Sequence, residues 1–153
     1  MYLADPSATD ALGARLARTL RQWPDGLVVA LDGELGAGKT ALTRATLVAL
    51  GHDGRVGSPS YTLIEPYEVL DRGFHHLDLY RLGDAEELEF LGIRDIDSAG
   101  DWLFIEWSCR GQGFLPPIDL RIELAYEHEA RRARILALSE RGQAFCHIFD
   151  NLT

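Results

Sequence analysis

One stretch constrains this chain more than any other. An apolar run, Gly26-Leu27-Val28-Val29-Ala30-Leu31-Asp32, passes straight into Gly33-Glu34-Leu35-Gly36-Ala37-Gly38-Lys39-Thr40, and Ala41 to Leu50 follows with helical character. A short β-type run bounded by turn residues reads as a strand buried on both faces, as in a parallel sheet. The residues after it match GxxxxGK[ST]. A loop that wraps an anion must aim several backbone N–H groups inward, which needs unusual φ angles and close backbone approach, and glycine supplies both without a Cβ clash. The next helix then points its positive end at the same place. Lys39 sits in the first turn, where its stem can reach β- and γ-phosphates, and Thr40 offers a hydroxyl to Mg²⁺. Without a ligand the pattern would be only a glycine-rich turn; the strand before it and the helix after it are what the phosphate reading requires.

Lys39 is also the sole lysine, the other fourteen basic residues being arginines. A compact ammonium fits such a cradle as a point charge, where a planar guanidinium does not.

The remaining patterns fill in an α/β sandwich around a mixed sheet. Asp5 to Trp23 reads as an amphipathic helix with Leu12, Leu16 and Leu20 on one face and Ser7 or Thr9 as its cap. Tyr61–Leu70 and Phe74–Leu82 flank Asp71-Arg72-Gly73, which predicts a hairpin with Pro66 at an edge or bulge. Asp84 to Gly92 predicts a short helix, and Asp101 to Trp107 a buried strand. Ile118, Leu120, Ile122 and Leu124 alternate with Asp119, Arg121 and Glu123, predicting one buried and one outward face, and Arg131 to Leu138 predicts the second strand of another hairpin. The tail from Ser139 predicts a helix. The 153 residues fit a single domain, residues 1–153.

Charge and cysteine usage exclude several roles. A net charge of −9 disfavours gripping nucleic acid directly, since phosphate binding needs a basic stripe. Cys109 and Cys146 form no CxxC and predict no disulfide framework, so a reducing, cytoplasmic setting is expected. The N-terminal stretch lacks the pattern of a signal peptide, and no apolar run approaches the roughly 18 residues of a membrane span.

A nucleotide site of this kind also needs an acid near Mg²⁺ and a segment that responds to the γ-phosphate. Glu106 ends the run Trp102-Leu103-Phe104-Ile105, which puts it at the carboxyl edge where α/β sheets bind ligands. Asp78 lies between apolar neighbours in a predicted strand, as a second acid or as an outward-facing strand residue. Ser58, Ser60 and Thr62 fall in a polar turn that reads either as a switch loop or as an ordinary loop. His75 and His76 are adjacent, so a strand points them to opposite faces and they cannot share one metal. Trp107 beside Glu106 and the cluster Arg131, Arg132 and Arg134 have the ordinary alternatives of core and solvated face.

Taken in order, "GELGAGKT", "SPSYTLIEPY", "HLDLYRL", "EELEFLGIRD" and "IEW" make the chain resemble the TsaE family (also called YjeE), the small P-loop ATPases of bacterial tRNA threonylcarbamoyladenosine synthesis. The resemblance covers about residues 7 to 138. Ser60, Leu77 and Ser108 stand where the family's usual pattern has threonine, phenylalanine and proline. It implies a P-loop NTPase-like three-layer sandwich with a mixed, mainly parallel central sheet plus antiparallel hairpins. It implies that Gly33, Glu34, Leu35, Gly36, Ala37, Gly38, Lys39 and Thr40 bind ATP phosphates, that Thr40 and Glu106 hold Mg²⁺, and that Asp78 is a Walker-B-like acid. Lys39, Asp78 and Glu106 are then the catalytic set. Ser58, Ser60 and Thr62 match the switch-like segment, Trp107 the family's tryptophan beside the metal glutamate, and Thr9 and Arg131 the adenine side. The implied partners are the TsaB and TsaD proteins, which modify adenine at position 37 of tRNAs reading codons that begin with adenine; tRNA is met only through that complex.

Three rivals make different demands. A P-loop small-molecule kinase needs a mobile basic lid, which Glu129 to Arg134 imitates in composition. A GTPase needs an Asn-Lys-x-Asp motif and hence a second lysine, so GTP should compete poorly with ATP. A nucleotide-binding adaptor would bind ATP without Mg²⁺-dependent hydrolysis.

Overall fold

Leu27–Asp32 forms the strand that the apolar run demands, and the sheet grows outward on both sides of it. A computed structural model describes residues 1–59 and 61–152 of the chain. In chain order the elements are β1 (Tyr2–Leu3), α1 (Pro6–Gln22), β2 (Leu27–Asp32), α2 (Lys39–Ala49), β3 (Ile64–Val69), β4 (Arg72–Asp78), α3 (Glu87–Phe90), β5 (Trp102–Glu106), β6 (Leu120–Glu127), β7 (Ala130–Ala137) and α4 (Glu140–Asn151). The strand order is β1-β7-β6-β2-β5-β4-β3. The centre, β6-β2-β5-β4, is parallel, and the pairs β3·β4, β6·β7 and β1·β7 are antiparallel.

Both faces of β2 are covered, which is why its sequence shows no polar alternation. Leu27, Val29 and Leu31 pack under α1, α2 and α4, with Leu16, Leu20, Leu42, Leu47 and Phe145. Val28 faces the other way, with Leu77, Leu103 and Ile105. That second face is roofed by α3, the 3-10 turns Ile93–Asp95 and Ser108–Gly111, and Phe114 and Leu115. The three layers are therefore unequal, helical on one side and mostly irregular on the other. Helices α1 and α2 cross closely at Gly13, where a methyl group would sit 2.5 Å from Ala45 Cβ.

Local chemistry corrects several boundaries. Asp5, not Ser7 or Thr9, caps α1: Ala8 N–H donates to Asp5 Oδ1 at 3.0 Å, and the Ser7 hydroxyl donates to the same oxygen at 2.6 Å. Pro6 explains the shift, because proline suits the first helical position and leaves the cap to the residue before it. The first hairpin turns at Leu70 and Asp71, both with positive φ (54° and 57°), and Arg72 and Gly73 belong to β4. A two-residue turn with both φ positive matches the strand twist better than the longer turn expected. Pro66 lies on β3, at the sheet edge, without breaking register.

Ile118 and Asp119 depart from the alternation. Ile118 precedes β6 and packs on the opposite face from Leu120, Ile122 and Leu124. Asp119 is buried: Oδ2 accepts from Val28 N–H (2.9 Å) and Arg141 Nη2 (2.7 Å), and Oδ1 accepts from Ser139 Oγ (2.7 Å). Ser139 in turn caps α4 by accepting from Gly142 N–H. One carboxylate thus ties the start of β2 to the start of the last helix. Burial alone would raise its pKa, but the donors from Arg141, Ser139 and Val28 outweigh it and hold the carboxyl below its ordinary value. A depressed folded pKa stabilises above the unfolded value, so this contribution is present above about pH 4 and is lost as pH falls through the folded value. Asp119→Ala is expected to cost about 3 kcal/mol, because it strands Arg141 and the Val28 N–H. Urea titrations at pH 7 and pH 3 should show the wild-type advantage shrinking at the lower pH; equal midpoints for the two proteins at pH 7 would contradict the tie.

The basic run at Glu129 to Arg134 is no lid. From Ala130 onward it is β7, paired along its length with β6.

Candidate functional site

The turn between β2 and α2 is built by glycines. Gly33 has φ +154°, and a side chain there would run into the Leu124 carbonyl of the neighbouring strand. Gly38 caps α2 in the left-handed region (φ 109°), and among the described residues no side chain caps the first turn of the helix. The helix therefore opens toward the loop with its N–H groups uncovered by a cap, which suits an anion. Gly33→Ala is expected to cost roughly 1–3 kcal/mol of stability, since a non-glycine residue in this conformation is strained and the Leu124 carbonyl must move. Thermal melting checks this; an unchanged melting temperature would show that the loop is not held against β6.

Lys39 folds back over the loop. Its ammonium donates to Gly33 O at 2.6 Å and Glu34 O at 2.9 Å, and lies 4.9 Å from the centre of the Trp107 ring. The residue is buried. Burial lowers its pKa, against the pull of the Glu106, Asp78 and Asp32 charges. An ammonium has three donors, so two loop carbonyls leave one for a phosphate oxygen.

The acids arrive on parallel strands. Register places Asp78 of β4 beside Glu106 of β5, and Glu106 beside Leu31 of β2, all at carboxyl ends. Glu106 is buried, and its Oε2 accepts from the Thr40 hydroxyl at 2.9 Å and from His76 Nε2 at 2.7 Å. Asp78 accepts from the Ser58 hydroxyl at 2.7 Å and from Tyr80 N–H at 3.1 Å. Trp107 follows Glu106 with φ 57° and stacks near Tyr80, with ring centres 5.0 Å apart. A bulky residue in that region is strained, and here the strain turns the indole over Lys39.

Two hollows flank the loop. A groove of about 730 Å³ is lined by small and apolar residues of α1 and α2, by Gly36, Ala37 and Gly38, and by Thr9 and Arg131. A smaller cleft on the other side holds Leu35, Ser58, Asp78, Tyr80 and Arg81. The structure thus brings together Thr9, Gly36, Ala37, Gly38 and Arg131 on one side. On the other it brings together Leu35, Lys39, Thr40, Ser58, Asp78, Glu106 and Trp107. Thr62 stays apart, exposed and donating to Glu65 Oε2 at 3.3 Å. Ser60 lies outside the described residues.

Sequence reasoning passed over two neighbours. Tyr126 donates its hydroxyl to Leu35 O at 2.8 Å, with Arg131 stacked 4.0 Å over its ring, so the second hairpin braces the loop. His76 and His75 cannot share a metal, and His75 pairs with Asp101 on the other face. The same alternation puts His76 on the face of Asp78, a signal that was available.

Among the described residues no group of three His, Cys, Asp or Glu side chains is placed to hold a metal alone. The Thr40 hydroxyl and the Glu106 carboxylate are hard oxygen donors, the set that suits Mg²⁺, which keeps waters and substrate phosphates instead of a full protein cage.

The family described as "Threonylcarbamoyl adenosine biosynthesis protein TsaE" matches residues 3–135. The chain is similar to the tRNA threonylcarbamoyladenosine biosynthesis protein TsaE of Haemophilus influenzae, 41% identical over 152 residues, covering 98% of this chain and 96% of that one. It is 37% identical over 141 residues to the protein of the same name from Streptomyces coelicolor, covering 85% and 90%. Among solved structures it resembles the crystal structure of Bacillus subtilus YdiB, with a TM-score of 0.75 and 26% identity over 99% of this chain and 93% of that one.

Proposed function

The chain belongs to the TsaE family of tRNA threonylcarbamoyladenosine biosynthesis, and on that premise we propose that it binds ATP with Mg²⁺ and hydrolyses it slowly in support of a TsaB–TsaD pair. That pair would carry out the modification of tRNAs reading codons that begin with adenine. The tRNA is met through the complex, in keeping with the net charge of −9. A cytoplasmic setting is part of the proposal; among the described residues no helix is long and apolar enough to cross a membrane.

One observation carries the reading: Thr40, next to Lys39 at the start of α2, hydrogen-bonds Glu106 at the end of β5, between two hollows that a nucleotide can span. The groove with Thr9 and Arg131 takes the base and ribose. Gly33 to Thr40 take the phosphates through backbone N–H groups, and Lys39 turns its third donor to them. Thr40 and Glu106 hold Mg²⁺. The metal, when bound with nucleotide, supplies neutralisation of charge on the phosphate oxygens. Asp78 faces the terminal phosphate side, and its bond to Ser58 gives the preceding loop a route to sense what occupies the cleft. Trp107 shields the ammonium from water.

The test is to mix the purified chain with TsaB and TsaD, then measure complex formation and phosphate release with and without Mg·ATP. Nucleotide-dependent assembly with slow phosphate release supports the reading. Assembly indifferent to ATP, with no hydrolysis in the mixture, refutes it. Phosphate appearing on a metabolite would point to a kinase instead.

A further inference from the structure

His76 is the most costly side chain in the site that the proposed chemistry does not use. It is fully buried on the α2-facing side of β4, two residues beyond Phe74, which packs on Phe104. Its Nε2 lies 2.7 Å from Glu106 Oε2, while Nδ1 is buried with no partner among the described residues. An imidazole placed so gives up a hydrogen bond, where an apolar ring would cost nothing there. What it gains is a hold on one carboxylate oxygen. An ionised Glu106 only accepts, so Nε2 is the donor in this contact and Nδ1 is left without a partner among the described residues.

We propose that His76 is a positioning residue that fixes the rotamer of Glu106 for Mg·ATP. The inference rests on the reading of Thr40 and Glu106 as the Mg²⁺ ligands. Oε2 takes two donors, one from Thr40 and one from His76, on opposite partners: a helix start and a neighbouring strand. With that oxygen held, the carboxylate cannot swing, and among the described residues no hydrogen bond occupies its Oε1. The Thr40 hydroxyl donates its proton to Glu106, so its lone pairs are left to accept a cation. His76 thus sets the direction of both ligands while touching neither nucleotide nor metal. Outer partners of this kind orient ligating carboxylates and matter nearly as much as the ligands.

Three proteins decide it: wild type, His76→Phe (ring volume kept, donor removed) and His76→Gln (a donor placed near the position of Nε2). Equilibrium binding of a fluorescent ATP analogue is followed against Mg²⁺ concentration, beside thermal melting of each protein without nucleotide. H76F is expected to fold and to bind the analogue without Mg²⁺ as wild type does. It should need roughly 10- to 100-fold more Mg²⁺ for half response, with H76Q restoring most of the difference. If wild type responds to Mg²⁺ and H76F responds at the same concentration, the positioning role is overturned while the metal reading stands. If wild type binding ignores Mg²⁺, both fall. Should H76F fail to fold, the comparison passes to H76N, whose shorter amide stops short of Glu106, against H76Q; equal Mg²⁺ response of those two overturns the proposal.

Discussion

Lys39→Ala is expected to lower ATP affinity by roughly 100-fold or more, about 3 kcal/mol, the range of a charge-assisted hydrogen bond to phosphate lost from a water-poor site. The side chain is the sole lysine of the chain and is already held over the loop by Gly33 O and Glu34 O. It therefore pays little further ordering entropy when phosphate arrives. The lowered pKa of Lys39 has a consequence for stability. Burial disfavours its charged form, so the ammonium weakens the fold at pH values below the folded pKa, and that cost is relieved as pH rises through it. Lys39→Met, which keeps the stem and removes the charge, should thus melt no lower than wild type at neutral pH while losing ATP binding. Lys39→Arg should not rescue binding, because a planar fork does not fit where two loop carbonyls converge on one nitrogen. Calorimetric titration with ATP and a melting curve check both halves; full ATP affinity in Lys39→Ala would mean that the loop is not the phosphate site.

The second large effect concerns Glu106. Glu106→Ala is expected to cut Mg²⁺-dependent hydrolysis in the assembled complex by roughly 100-fold, about 2.7 kcal/mol of barrier. Nucleotide should still bind, since the loop and the groove are untouched. The same change leaves His76 buried without its acceptor and frees the Thr40 hydroxyl, so a stability loss of about 1–3 kcal/mol accompanies it. Glu106→Gln separates the two: its amide oxygen still accepts from His76, so stability should largely return while Mg²⁺-dependent turnover does not. Full activity of Glu106→Ala beside TsaB and TsaD would remove Glu106 from the metal site.

Much of this was legible in the chain. The path from Gly26 to Leu50 became β2, the glycine loop and α2 as expected, because buried period, glycine spacing and helix start are all local. Glu106 fell at a strand end, and the mixed sheet with two hairpins followed. The misses have a common cause. Asp119 looked solvent-facing because alternation counts only its own strand; Arg141, contributed by the C-terminal helix, makes its burial possible. Ser7 and Thr9 looked like caps because the sequence offers several cap residues, and backbone geometry selects Asp5. Thr62 looked equivalent to Ser58, yet Ser58 donates to Asp78 while Thr62 is exposed and donates to Glu65.

His76 shows the division most clearly. Its own sequence neighbourhood, two histidines inside a strand, says only that they face opposite ways. The parallel pairing of β4 with β5, 30 positions apart in sequence at His76 and Glu106, makes it a partner of Glu106. By itself the chain determined the glycine loop and the elements on either side of it, since backbone sterics and hydrophobic period act over a few residues. Tertiary structure decided which side chains stand around that loop, because strand pairing joins residues with no local reason to meet, and only the packed sheet repays the entropy of bringing them together.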